Sequence, residues 1–186
     1  MDRASRYSEG RITLRAVEAG DYEHLRRVEL SSELAARWRL VDHPSPEDYG
    51  RSLWDGVQTQ HLAFDTHTER CIGLFTVYAM DRHNRVARFA AARFLNSPSA
   101  RLGYLVAFRE ILRLTFDTYD VRKLYMDVPE FNYVQIRSFV ERGLFTLEGR
   151  LVDFRYLGRR YWDQYIVSID FASLSGLDEL IERLGL

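Results

Sequence analysis

Three apolar runs joined by short polar turns, then a long helix and a fourth apolar run, leave few arrangements open to this chain. The runs are His61–Asp65, Cys71–Met80 and Val86–Leu95. Thr66-His67-Thr68 and Asp81-Arg82-His83-Asn84 mark the turns between them, and connections this short predict an antiparallel meander. Leu105, Phe108, Leu112, Thr115, Phe116 and Tyr119 then fall at helical spacing, and Val121–Val128 reads as the next strand. If that helix is a crossover, the strand after it lies parallel to an earlier one. The expectation is an α/β (α+β) chain with a mixed sheet.

The flanking segments extend this picture. Ile12–Val17 alternates like a strand, and Asp21 is placed to cap a helix carrying Tyr22, Leu25 and Val28. Ser45-Pro46-Glu47-Asp48 has the cap, proline and first-turn acids of a helix start. That helix is expected to reach Asp55 and to bury Tyr49, Leu53 and Trp54. Val134–Arg142 predicts a further helix, stopped by Gly143. Leu147–Tyr156 and Tyr161–Ile169 read as a hairpin closed through Leu157-Gly158-Arg159-Arg160. The tail, Ser173–Leu186, reads as an amphipathic helix carrying Leu174, Leu177, Ile181 and Leu184. No repeat or linker divides the 186 residues, so one domain is expected over 1–186, behind a polar segment at 1–10.

Composition narrows the partners. A net charge of -1 gives no global argument for nucleic acid or an anionic membrane, but leaves room for a local basic patch. Lys123 is the only lysine among 26 basic residues, and arginine suits forked contacts to phosphate or carboxylate. Cys71 is the only cysteine, so no intrachain disulfide forms. Met1–Gly10 lacks a signal-peptide core, and Cys71–Met80 is too short to span a bilayer, which predicts a cytoplasmic protein without membrane contact. His24, His43, His61, His67 and His83 show no metal-ligand spacing, and no metal is expected.

The stretch Phe94–Leu105, FLNSPSARLGYL, carries the functional question. A strand feeding a helix N-terminus is a natural seat for phosphate. Such seats usually use glycines for close approach, yet here only Gly103 is present, and late. Two readings stand. Ser97, Ser99 and Arg101 rebuild a phosphate site through their side chains, or Ser97 or Ser99 only caps the helix with Pro98 in its first turn.

Three blocks in order, Gly73–Phe89, Leu124–Phe145 and Leu147–Ile169, resemble the Gcn5-related N-acetyltransferases (GNAT). The likeness is to the branch acting on ribosomal-protein N-termini and polyamines. It rests on Gly73, Asp81-Asn84-Ala87, Asn132 eleven residues before Gly143, Glu148-Gly149, and Gly158-Arg159 with Asp163. The resemblance implies a twisted sheet of about seven strands whose central parallel pair splays apart. Acetyl-CoA or another acyl-CoA would lie in the gap as co-substrate, and a primary amine on a small molecule or peptide would attack the thioester directly. It places the thioester carbonyl at a backbone amide near Phe94, Leu95 and Asn96. Pyrophosphate would meet Ser97, Ser99, Ala100, Arg101 and Leu102, ahead of Gly103. Asn132 would bond the pantetheine chain, or cap the next helix, or both.

The chain departs from that pattern at three points. Ser97, Ala100 and Leu102 replace the usual residues of the pyrophosphate loop. Phe139 stands where many members have a tyrosine able to protonate the leaving thiolate, with Tyr133 nearby as a substitute donor. Val86–Leu95 contains no acid or histidine. Asp127 is then the candidate base, acting through water, unless it simply pairs with an arginine; Glu130 and Glu141 are weaker candidates, and His43 lies nearest the expected acceptor mouth. The altered loop opens two other readings. One is a bulkier donor, aminoacyl-tRNA or a carrier-protein thioester, met by Arg82, Arg85, Arg88, Arg93 and Arg101. The other is a non-catalytic assembly module, a homodimer formed through the tail helix or the last hairpin.

Overall fold

The computed structural model describes residues 6–30 and 45–185. Its strands form one sheet. The first five are β1 (Arg6–Glu9), β2 (Ile12–Ala16), β3 (Val57–Asp65), β4 (Cys71–Asp81) and β5 (Val86–Arg93), each antiparallel to the next. Helix α3 (Pro98–Thr118) returns the chain, and β6 (Lys123–Pro129) pairs parallel with β5, as the crossover argument requires. β7 (Thr146–Leu157) and β8 (Arg160–Asp170) complete the order β1-β2-β3-β4-β5-β6-β8-β7. The sheet has eight strands rather than about seven. The addition, β1, comes from the segment read only as polar, and β2 supplies its partner edge. Gly158 and Arg159, with φ of 63° and 62°, form the left-handed two-residue turn that matches strand twist.

Helices cover both faces. α3 and α6 (Ser173–Arg183) lie over one core, where Phe75, Phe89, Ile111 and Leu124 are sealed from water. Burying each such side chain contributes about 1.5–3 kcal/mol. Phe108 meets Phe89 edge-on at 5.5 Å and Phe145 at 5.9 Å, tying α3 to the sheet and to the start of β7. Arg109 and Arg113 of α3 both reach Asp178 of α6, at 2.9 and 3.2 Å. α1 (Tyr22–Glu29) and α2 (Pro46–Ser52) cover the opposite face, over Leu25, Leu53, Leu62 and Leu74.

Local departures from expectation have local causes. Asp21 precedes α1 without capping it through its side chain, because both carboxylate oxygens accept from Arg15 at 2.8 Å. Trp54 stays 37 % exposed while its Nε1 donates to the Tyr22 hydroxyl. Of the helix expected over Val134–Arg142 only α5 (Arg137–Glu141) forms, and a separate short turn, α4 (Glu130–Tyr133), precedes it. Between them the Gln135 and Ile136 amides reach back three residues, to the Asn132 and Tyr133 carbonyls. Ile136, Phe139 and Val140 still pack on the core, so the apolar spacing imitates one helix. Leu184 ends outside α6, exposed.

Candidate active site

β5 and β6 are bonded at three positions only: Val86 with Lys123, Ala87 with Leu124, and Arg88 with Tyr125. Beyond Arg88 each strand follows its outer partner. β5 stays on β4 as far as Arg93, and β6 stays on β8 through Pro129. A cavity of about 1060 Å³ occupies the space they leave. Asp127, which lines the cavity, pairs with Arg88 at 2.8 Å beside the last bonded rung, and the Arg88 guanidinium also lies 5.7 Å from the Tyr125 ring centre.

On the α3 side the cleft is walled by Tyr104, Phe108, Phe139 and Phe145, with Arg93 and Arg101 among them. Gly73 makes this wall possible: a Cβ there would sit 2.7 Å from both the Ala92 carbonyl oxygen and the Tyr104 ring. Burial pushes the Tyr104 phenol up, so it stays protonated. Burial pulls the Arg93 pKa down; its Nη2 donates to Asn96 Oδ1 at 3.0 Å, and its buried Nε has no hydrogen-bond partner.

The opposite side carries Asp127, Gln164, Phe154 and Arg155. The ladder places them. Pro129 pairs with Gln164 and Arg155 with Trp162, and residues opposed across a ladder share a face. The β7 register breaks between Leu151 and Arg155, with Asp153 at φ 51°. Three residues of β7, Val152 to Phe154, oppose one of β8, so the strand gains two residues there and Arg155 falls opposite Trp162 on the face of Leu151. Asp163 holds this bulge: the buried carboxylate accepts the Asp153 amide at 2.9 Å and pairs with Arg150. The Asp153 N–H chiefly keeps the Asp163 carboxyl below the usual range.

The structure divides the residues expected from sequence. Phe94, Asn96, Arg101 and Leu102 line the cleft, as do Asn132, Phe139 and Asp127. Leu95 packs on the core instead. Ser97 is the N-cap of α3: its hydroxyl accepts the Ala100 amide at 3.3 Å and its carbonyl the Arg101 amide at 3.0 Å. Ala100 is 3 % exposed, and Gly103 faces Ile72 and Ile12, so neither meets the cleft. Ser99 is exposed and off the lining. The Phe94 amide is spent on the Ile72 carbonyl, which leaves the Leu95 and Asn96 amides at the strand end. Tyr133 stacks on Tyr165 at 4.1 Å and is not part of the lining. His43 lies outside the described residues.

Other motif residues serve the frame. Asp81 accepts from the Asn84 amide and side chain within the β4–β5 turn. Glu148 accepts from Lys123 at 2.7 Å and Ser168 at 2.6 Å across β6, β8 and β7. Gly143, at φ 72°, turns the chain after α5. Arg85 pairs with Asp120 and Arg88 with Asp127, which partly neutralises the arginine-rich face. Among the described residues no group of acids, cysteines and histidines could hold a metal, and no helix is long and apolar enough to cross a membrane. Sequence reasoning missed Arg155, Gln164 and Tyr104. The two residues that the bulge adds, which set Arg155 opposite Trp162, leave no mark in the residue pattern.

No protein-family model and no curated protein sequence matches the chain. Solved structures do. The spermidine N-acetyltransferase of Vibrio cholerae, in complex with CoA and spermine, superposes with a TM-score of 0.74 at 22 % identity, covering 90 % of this chain and 99 % of that one. A putative acetyltransferase from T. thermophilus matches with 0.71 at 17 % identity, over 96 % of each chain. The ribosomal L7/L12 alpha-N-protein acetyltransferase RimL, in complex with CoA, matches with 0.69 at 16 % identity, over 89 % and 97 %. At these identities the likeness is one of fold, and it agrees with the splayed parallel pair and the crossover helix: the chain has the fold of the Gcn5-related N-acetyltransferases.

Proposed function

We propose that the protein is an N-acyltransferase that moves an acyl group, acetyl by default, from acyl-CoA to a primary amine. The observation that carries this reading is the parting of β5 and β6 after Arg88, which opens a cleft of about 1060 Å³ beside the α3 N-terminus. The fold neighbours solved with CoA support it.

The residues present suit such a donor. Arg101 lines the cleft at the first turn of α3, where the helix dipole also favours an anion. With Ser97 spent as a cap and Leu102 in place of glycine, phosphate would be met mainly by side chains. Asn132, on the cleft wall after β6, is placed for the amides of a pantetheine chain. The Leu95 and Asn96 amides are the strand-end donors for the developing oxyanion.

The amine enters from the side of Asp127. Its nitrogen attacks the thioester carbonyl, a C–N bond forms and the C–S bond breaks. Asp127 spends Oδ1 on Arg88, and its other oxygen takes the amine proton through a water. Phe139 has no proton to give, so the departing thiolate is protonated from solvent. Tyr133, held against Tyr165, has no part. Mixing the protein with acetyl-CoA and a panel of primary amines, and following free thiol, tests this. Amine-dependent thiol release supports it; no release with any amine, together with no acetyl-CoA binding, contradicts it.

A further inference from the structure

We infer that the acceptor is an amine that also carries a carboxylate, and that Arg155 reads that carboxylate; this rests on the acyltransferase reading above. The lining of the cleft is cationic. Arg93, Arg101 and Arg155 line it, and among the described lining residues Asp127 is the only acid. Asp127 is already engaged by Arg88, so its charge is offset within the protein. A polycation would find no uncompensated carboxylate among the described lining residues.

Arg155 differs from the other two arginines in place. Arg101 rises from α3, and Arg93 is held by Asn96 at the end of β5. Arg155 sits across the sheet with Gln164 and Asp127, on the side where the amine must arrive. Its Nε is buried and makes no hydrogen bond. No ion pair to Arg155 forms among the described residues. A buried guanidinium N–H without an acceptor is costly unless a ligand supplies one. The Nε–Nη edge is the geometry that receives a carboxylate through two parallel bonds. Gln164 beside it adds an amide for the same group or its neighbour.

The chain builds this arrangement at some expense. Asp153 adopts a left-handed conformation that a non-glycine residue rarely takes, and the buried Asp163 carboxylate is spent on holding it. The register shifts by two residues between Leu151 and Arg155, so Arg155 keeps the face of Leu151, and the bulge sets where along the cleft it falls, opposite Trp162. Asp163 is therefore a positioning residue for Arg155.

The test compares three acceptors with acetyl-CoA: a free α-amino acid, its carboxamide and spermidine. The amino acid is expected to show the highest kcat/KM, at least tenfold above spermidine. In Arg155→Gln the ratio of kcat/KM for the amino acid over its carboxamide falls roughly ten- to hundredfold, through KM, while acetyl-CoA affinity by calorimetry stays within twofold. Arg155→Lys keeps the charge but not the fork, and recovers only part of the ratio. Binding of the N-acetylated amino acid by calorimetry, which needs no turnover, is expected to weaken at least tenfold in Arg155→Gln. A preference for spermidine, or product binding unchanged in Arg155→Gln, overturns the inference. Absence of acetyl-CoA binding in the unaltered protein instead overturns the acyltransferase reading itself.

Discussion

Arg88 and Asp127 face each other at 2.8 Å on the two parallel strands, beside the last rung at which those strands are bonded. The pair fixes the orientation of Asp127, the one acid among the described residues that line the cleft. Asp127→Asn keeps the shape and the contact to Arg88 but removes the base. Amine-dependent thiol release is expected to fall about a hundredfold in kcat. Acetyl-CoA affinity, measured by calorimetry, stays within twofold.

Arg101 is the side chain assigned to the phosphates. Arg101→Ala should weaken acetyl-CoA binding roughly tenfold, and the deficit should shrink as salt rises, because the contact is exposed and charged. Leu102→Gly, which restores the usual small residue, should change affinity by less than Arg101→Ala does. A calorimetric series in rising salt checks both.

Gly73 lies 2.7 Å, at its would-be Cβ, from backbone and from the Tyr104 ring. Gly73→Ala therefore forces either β5 or α3 to move. The expected loss is about 1–3 kcal/mol, seen as a Tm lowered by several degrees for a chain of this size, with a cleft that binds acetyl-CoA less well.

His61 is 7 % exposed on β3, and burial holds its pKa down to about 4 against 6.5. The unfolded chain takes up that proton below pH 6.5, and the folded chain does so only near 4. Stability from this group is complete above 6.5 and is lost as pH falls through that window, by up to about 3 kcal/mol. Urea unfolding at pH 7, 5.5 and 4.5 should show the slope. His61→Gln should flatten it.

Much of this was written in local sequence. The turn lengths between β3, β4 and β5, and the spacing along α3, fix a meander followed by a crossover. Ser97-Pro98 marks the α3 start correctly, because a cap needs only its own helix. Leu102 and Arg101 fall on the cleft, and Ala100 and Gly103 do not, since neighbours on a helix point about 100° apart. The opposite wall was not legible. Arg155 comes opposite Trp162 through a two-residue shift at Asp153, held by Asp163 ten residues away, and period-two alternation does not register residues added as a pair. The orientation of Tyr133 was not legible for a similar reason: it is set by Tyr165 on β8, distant in sequence.

The most direct test of the account is titration of the purified protein with acetyl-CoA in a calorimeter, followed by addition of a primary amine with thiol detection. The account predicts one acetyl-CoA bound per chain and one thiol released for each amine acylated. No heat of binding, and no thiol above the rate without protein for any amine, would contradict it.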